Sequence, residues 1–498
     1  MPIKEPLKVP EVINEHPFHP DSVSPPITTA IPITKSDAQS SSSSTTLYAS
    51  AIVDSRSVPV NSSYYRLHCP HGHLLSYWRP LTDHDSRHRV PYIDYGPRVK
   101  YVTFEPDVGG WNNIRMQMEL VLVFAYATGR TLVLPPDQPM YLLQAGKGHQ
   151  KAHSFADFFP FEKIQERMSV ITMEEFLQRE AVAGHLRNRS THLVQFPPGN
   201  KTVFNTMERE ERWAMWAYLR DVSACPPWKS MHEFLVIPSG PHDNRSATDL
   251  SEPEQQRLAA FAANRTAMYY DDDWQNEPYL HFISKPELGY RLLEHFYTFI
   301  YFENQEMERF FKRFVRDYVH YQREIFCKAA LIVEHLLREG NGSYTAFHVR
   351  RGEFQYKVVK LSGEKILNNL QPVMSKTSLV YIATDERNKT FFHEFPRRYK
   401  VVRFLDHYMD YAKLRDINPN YLGMIDQIIC SHGSYFVGTW FSTFTGYITR
   451  MRGYIGFPDN STFFGDKEHR DRFQQVEAPK FPFYMREFPT AWDAIEDA

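Results

Sequence analysis

From residue 98 onward the apolar positions fall into two alternating patterns. Val99 to Phe104 is a short run of β-branched and aromatic residues, which predicts a strand. Gly109-Gly110-Trp111-Asn112-Asn113 then reads as a turn. From Ile114 to Ala127, Met116, Leu120, Val123, Phe124 and Ala127 recur at threes and fours, the spacing of a helix with one apolar face. Gly129 can end that helix. Thr131 to Leu134 is a second strand, stopped by Pro135-Pro136. Strand, glycine turn, helix and strand make a βαβ unit.

Residues 136–285 show no sustained period and read as loops and insertions. Residues 288–337 read as helical for most of their length, with Phe310, Phe311, Phe314, Tyr318, Phe326, Ala330, Val333 and Leu337 on one face. The strand–helix alternation then resumes. Thr345 to Val349, Leu379 to Ala383, Lys400 to Phe404 and Tyr435 to Gly438 read as strands, with a helix over Tyr421 to Cys430. Two such sets predict an α/β chain with two Rossmann-type parallel-sheet domains, one over 96–335 and one over 336–498. Residues 1–95 read differently. The first 60 are rich in Pro and Ser, including the run Ser40 to Ser44, and predict a disordered arm. Residues 61–95 form a polar, His-rich leader with no clear element.

Composition narrows the function. A net charge of -2 over 498 residues gives no electrostatic case for nucleic acid. No run of about 18 apolar residues appears, so no membrane span is expected, and the N-terminus shows no apolar signal core. Cys69, Cys225, Cys327 and Cys430 are widely spaced and can form one or two disulfides. Eight Asn-X-Ser/Thr sequons, at Asn61, Asn188, Asn200, Asn244, Asn264, Asn341, Asn388 and Asn460, favour a secretory-pathway history.

In parallel sheets, ligands bind beyond the carboxyl ends of the strands. Three polar clusters follow the strands of the C-terminal half. They are His348-Val349-Arg350-Arg351-Gly352-Glu353, Thr384-Asp385-Glu386, and Gly438-Thr439-Trp440-Phe441-Ser442-Thr443-Phe444. Arginine suits bidentate contact with phosphate. Two hydroxyls at a helix start add free backbone N–H groups and the positive end of the dipole. Asp385 can accept from a guanine or ribose donor. Each member has a plainer reading: Ser442 and Thr443 as a helix cap, the arginines as structural ion pairs, Asp385 as another cap. Together they specify an anion or phosphate site. Asp271-Asp272-Asp273 and His68-Cys69-Pro70-His71-Gly72-His73 are weaker candidates for holding a metal.

These motifs resemble a known family. Asp107 to Arg115, with Arg130 to Pro136 after the helix, resembles the N-terminal signature of the GDP-fucose protein O-fucosyltransferases. The segment from His348 resembles their second signature. Ile425-Asp426-Gln427 together with Phe436 to Thr439 and Phe441 to Phe444 resembles the third. The resemblance implies a GT-B-like fold with two domains facing a cleft, the first on the acceptor side and the second on the donor side. It implies inverting transfer of fucose from GDP-fucose to a Ser/Thr hydroxyl of a protein, with no metal or other cofactor, in the endoplasmic reticulum or Golgi lumen. It implies Arg350 and Asn112 as catalytic, and Gly110, Asn113, His348, Asp385, Ser442, Thr443 and Phe444 as donor-binding. Gly109 stands where one branch of the family carries a glutamate proposed as base, and the nearest acid is Asp107. That departure leaves open a glycan-directed transferase, or a catalytically silent module that binds glycans or partners.

Overall fold

The polar stretch after residue 60 contains a folded element. In a computed structural model, the first described residues form a hairpin, β1 (Tyr65–His68) and β2 (Leu74–Tyr77), paired antiparallel. The structure describes residues 65–78, 85, 88–93 and 98–470, apart from 141–142, 144–151, 205–207, 227, 229–231, 242–249, 286–289, 353, 355 and 372–377. Beyond residue 470 it describes Glu487, Trp492 and Ile495. The arm expected over the first 60 residues, the sequons at Asn61 and Asn244, and Glu353 lie outside the described residues. Leu75 and Trp78 of the hairpin region are buried, which corrects the reading of this leader as featureless. Its signal is faint because each strand has only four residues, too few for a period to show.

The N-terminal βαβ unit forms as its pattern predicts: β3 (Tyr101–Phe104), α1 (Trp111–Ala127) and β4 (Thr131–Leu134). Gly129 follows the helix at φ 66°, a backbone conformation that glycine adopts without strain. The region read as irregular is in fact structured. It holds β5 (Val170–Thr172), β6 (Glu233–Ile237), β7 (Thr266–Tyr269) and β8 (Tyr279–Phe282), with a helix over Arg209–Val222. The long helical reading of 288–337 is interrupted by β9 (Ile300–Phe302), and a break separates the helix Gln305–Tyr318 from α2 (Arg323–Glu339). These strands have three to five residues and are largely buried, so they lack the alternation that marks a half-exposed strand. The strands make two parallel sheets, ordered β5-β4-β3-β8 and β7-β6-β9, where a single sheet was expected.

The C-terminal half is one five-stranded parallel sheet, ordered β12-β11-β10-β13-β14. Its strands are β10 (Thr345–Val349), β11 (Leu379–Thr384), β12 (Val401–Phe404), β13 (Tyr435–Gly438) and β14 (Thr462–Phe464). Helices α3 (Tyr421–Ser431) and α4 (Thr443–Tyr454) flank β13 in the chain. The chain progresses outward from β10 to β12 on one side, then returns to β13 on the other. The strand order therefore reverses between β10 and β13, the switch point where open parallel sheets bind ligands.

The halves are tied together. One apolar core runs from Trp78 through Leu120 and Phe124 of α1 to Ile428 of α3 and Ile448 of α4. Every residue of α1 except Asn113 is buried, including Arg115 and Glu119. Buried charge is tolerated when paired. Arg115 Nη1 lies 2.8 Å from Glu119 Oε2, and Arg450 Nη1 of α4 lies 2.6 and 2.7 Å from the two Glu119 oxygens. Cys69 at the hairpin turn is disulfide-bonded to Cys327 of α2, while Cys225 and Cys430 are free thiols.

Candidate active site

The three polar clusters converge at the β10/β13 switch point. Thr439, just past β13, bridges both strand ends: its hydroxyl donates to the His348 carbonyl at 2.9 Å and accepts the Arg350 N–H at 3.1 Å. Past β11, the Asp385 carboxylate accepts the N–H groups of Arg351 at 2.6 Å and Gly352 at 3.0 Å. The same carboxylate lies 2.9 Å from Arg350 Nη1. Asp385 therefore shapes the loop that carries Arg350 and also partners its guanidinium. Arg351 points elsewhere, with its guanidinium 4.3 Å from the Phe391 ring centre and its Nη1 on the Lys360 carbonyl.

His348 is buried and stacks on Phe444, ring centres 4.4 Å apart. Burial drives its pKa down to about 3; the Arg350 charge pushes the same way and the Asp385 charge opposes it. The imidazole is neutral at pH 7. The Thr445 hydroxyl accepts the Thr439 N–H at 3.1 Å, and it lies 2.8 Å from His348 Nδ1. Thr445 thus ties the end of β13 to the His348 ring.

Ser442 opens α4 but makes no capping hydrogen bond, so its hydroxyl is not used in the way the plainer reading required. Phe441 just before it sits at φ 67°, a costly conformation for a bulky side chain. Its ring stacks on Tyr356 at 4.3 Å. Strain of this kind gathers at ligand sites, where surrounding contacts hold it.

The turn of the N-terminal half meets this edge directly. Thr443 Oγ1 donates to Asn113 Oδ1 at 2.9 Å, and Gln427 Nε2 donates to Asn112 Oδ1 at 3.1 Å. Gln427 also donates to the Phe444 carbonyl at 3.2 Å and accepts from Tyr321 Oη at 2.6 Å. Helix α1 begins at this point, with Gly110 as its cap and no side chain covering the first N–H groups. Two helix N-termini thus sit beside one edge that carries an arginine and a neutral imidazole.

The sequence reading gave no individual role to Thr445, or to Gln427 and Thr439, which lie within its quoted motifs. Gln427 leaves a trace in the sequence, as an amide on the apolar face formed by Met424, Ile425 and Ile428. The weaker metal candidates are otherwise engaged. The Asp271 carboxylate caps a short helix by accepting the Trp274 N–H at 3.1 Å. Cys69 is in its disulfide, and His73 Nδ1 lies 2.6 Å from Glu334. Among the described residues, no group of three or more His, Cys, Asp or Glu side chains is arranged to hold a metal ion.

A parallel α/β sheet with a polar switch-point edge, met by a second helix start, is a geometry that suits an anionic ligand such as a nucleotide diphosphate. The family model for GDP-fucose protein O-fucosyltransferase matches residues 101–455, and the chain belongs to that family. Over 131 residues it is 31% identical to GDP-fucose protein O-fucosyltransferase 2 of Caenorhabditis elegans, a stretch covering 24% of this chain and 29% of that protein. The protein of the same name from Drosophila melanogaster is 29% identical over 130 residues, 24% of this chain and 26% of its own length. The matched stretch thus spans less than a third of these curated relatives. Among solved structures, POFUT1 in complex with GDP aligns over 73% of this chain and 98% of its own, at 14% identity and a TM-score of 0.38. NodZ alpha-1,6-fucosyltransferase co-crystallised with GDP aligns over 71% and 93%, at 12% identity and a TM-score of 0.35.

Proposed function

We propose that the chain is an inverting fucosyltransferase that moves fucose from GDP-fucose to a Ser/Thr hydroxyl of a protein acceptor. The observation that carries this reading is the hydrogen bond from Thr443 to Asn113. It joins the glycine turn of one half to the phosphate-type helix start of the other, at the edge where Arg350 and His348 stand.

The chemistry follows from the residues. The bond from the anomeric carbon to the phosphate oxygen breaks as the acceptor oxygen bonds from the opposite face, and the acceptor hydroxyl's proton passes to the departing diphosphate. Negative charge grows on the departing diphosphate. Arg350 neutralises it, and the α4 N-terminus with Ser442 and Thr443 adds hydrogen bonds and dipole. His348 stays neutral and so does not repel Arg350. Asp385 competes with the diphosphate for Arg350, so donor binding trades one anionic partner for another. The Arg350 charge does what a divalent cation does in metal-dependent transferases, so no metal is invoked. The two-domain division at 335/336 is part of the same reading, with donor binding assigned to the second part.

A secretory compartment suits the chain. A disulfide between the hairpin and α2 persists in an oxidising environment. Of the six sequons among the described residues, Asn200, Asn264, Asn341, Asn388 and Asn460 are exposed and Asn188 is partly so.

A second reading has one specific observation behind it. Asp107, the acid nearest the glycine turn, is buried and paired with Arg291, Oδ2 to Nε 2.6 Å, which favours a binding module without catalysis. Calorimetry with GDP, UDP and ADP, followed by GDP-fucose turnover in EDTA, tests both. Selective GDP binding with metal-free turnover supports the transferase. Selective GDP binding without turnover on any hydroxyl acceptor, or glycan binding without GDP affinity, supports the module, and no GDP preference rejects the transferase.

A further inference from the structure

Gly109 is absent from the left-handed region, so its backbone conformation does not call for glycine. Space does. A Cβ at this position would lie 2.4 Å from Asn113 Nδ2, 2.7 Å from Asp107 Oδ1 and 2.9 Å from Arg291 Nη2. A Cβ so placed would force these side-chain ends to shift, and three polar groups converge on the one α-carbon.

These groups form a single relay. Arg291 grips Asp107 with two bonds, Nε to Oδ2 at 2.6 Å and Nη2 to Oδ1 at 3.0 Å. Asp107 Oδ1 also accepts the Gly109 N–H at 2.7 Å, which fixes the direction of the turn. From the other side, Gln117 Oε1 accepts the Asp107 N–H at 2.5 Å, while Gln117 Nε2 donates to the Glu105 carbonyl at 2.9 Å. The turn so held places the Asn113 amide over Gly109, and its Oδ1 reaches Thr443. Arg291 comes from the segment after β8, remote from Asn113 in sequence. Its guanidinium is one-third exposed, whereas Asp107 is fully buried.

We propose that Arg291, acting through Asp107, is a positioning residue for the donor site: it sets the Gly109–Asn113 turn so that Asn113 engages Thr443, and Gly109 is required to let the pair close. The inference rests on the donor-site reading above. It also assigns Asp107 a role in holding the turn rather than in receiving the acceptor proton. A bidentate guanidinium is needed to hold both carboxylate oxygens, so lysine is a partial substitute.

The test is calorimetric affinity for GDP-fucose, which needs no acceptor. Wild type, Arg291→Met, Arg291→Lys, Asn113→Ala and the double variant Arg291→Met/Asn113→Ala are compared, with thermal melts as a folding control. Arg291→Met and Asn113→Ala are each expected to weaken binding about fivefold to tenfold. The double variant should be no worse than either single, because both break the same relay. Arg291→Lys should recover part of the loss. A purely structural role would give additive losses that track the melting temperature. Unaltered affinity in Arg291→Met, or additive losses in the double variant, overturns the inference while leaving the donor site standing. Wild-type protein that binds neither GDP nor GDP-fucose overturns the donor site and this inference together.

Discussion

Replacing Arg350 by alanine separates catalysis from stability, because the structure assigns very different magnitudes to the two. For stability, the substitution removes an ion pair whose side chains are 23% and 27% exposed. Such pairs contribute about 0–1 kcal/mol. Asp385 keeps the N–H groups of Arg351 and Gly352, and Thr439 still accepts the backbone N–H of residue 350, so the loop retains its anchors. A melting-temperature change below roughly 2 °C is expected for a chain of this size. For catalysis, the substitution removes the guanidinium proposed to neutralise the departing diphosphate. Losing one such charge stabiliser costs about 3–4 kcal/mol in the transition state, or roughly a hundredfold to a thousandfold in kcat. Arg350→Lys keeps the charge but loses the fork, and should fall between the two. The assay is steady-state turnover of GDP-fucose in EDTA, with melting curves on the same preparations. A loss below tenfold in Arg350→Ala would refute the assignment of the leaving-group charge to this residue. A large loss accompanied by a melting drop of many degrees would refute the claim that its structural contribution is small.

Gln427→Leu should destabilise the protein by about 2–4 kcal/mol, since it strands Asn112, Tyr321 and the Phe444 carbonyl in a buried site. Chemical denaturation reads this, and GDP-fucose affinity should fall in the same variant. Glu294 is buried, and burial raises its pKa to about 8, opposed by Arg265 and by a hydrogen bond from Thr298. The folded state therefore holds a proton that the unfolded chain releases near pH 4.5, and stability falls as pH rises through the window from about 4.5 to 8. Glu294→Gln should match wild type near pH 4.5 and exceed it at pH 8 by on the order of a few kcal/mol. Equal gaps at the two pH values in urea titrations would count against it. Cys327→Ser should lower stability by about 2–5 kcal/mol, from the loss of a cross-link spanning 258 residues. Protease nicking near the β1–β2 hairpin should report the loss. In protein made in a secretory host, mass spectrometry should find glycan on exposed sequons such as Asn200 and Asn341.

The sequence showed the C-terminal sheet more clearly than the N-terminal half, and the reason is physical. β10 through β13 are separated by helices and bounded by polar residues, so each run of apolar residues has visible ends. β5 through β9 lie among insertions, in short and mostly buried runs that carry no alternation, and their partners are remote in the chain. The same contrast holds in the site. Arg350, His348, Ser442 and Thr443 stood out in the sequence because they are polar groups at the end of a strand or the start of a helix, where local rules place ligand-facing groups. Gln427 and Arg291 were not, because their roles come from pairing with Asn112 and Asp107, more than 180 positions away in each case. Local pattern could therefore point to this edge as a place suited to an anion. It could not show what meets this edge from the other half of the chain. The Asn113–Thr443 contact, beside a glycine whose Cβ would crowd the Asn113 amide, supplies it. Two ordinary helix starts become one site through residues whose importance appears only once the chain has folded.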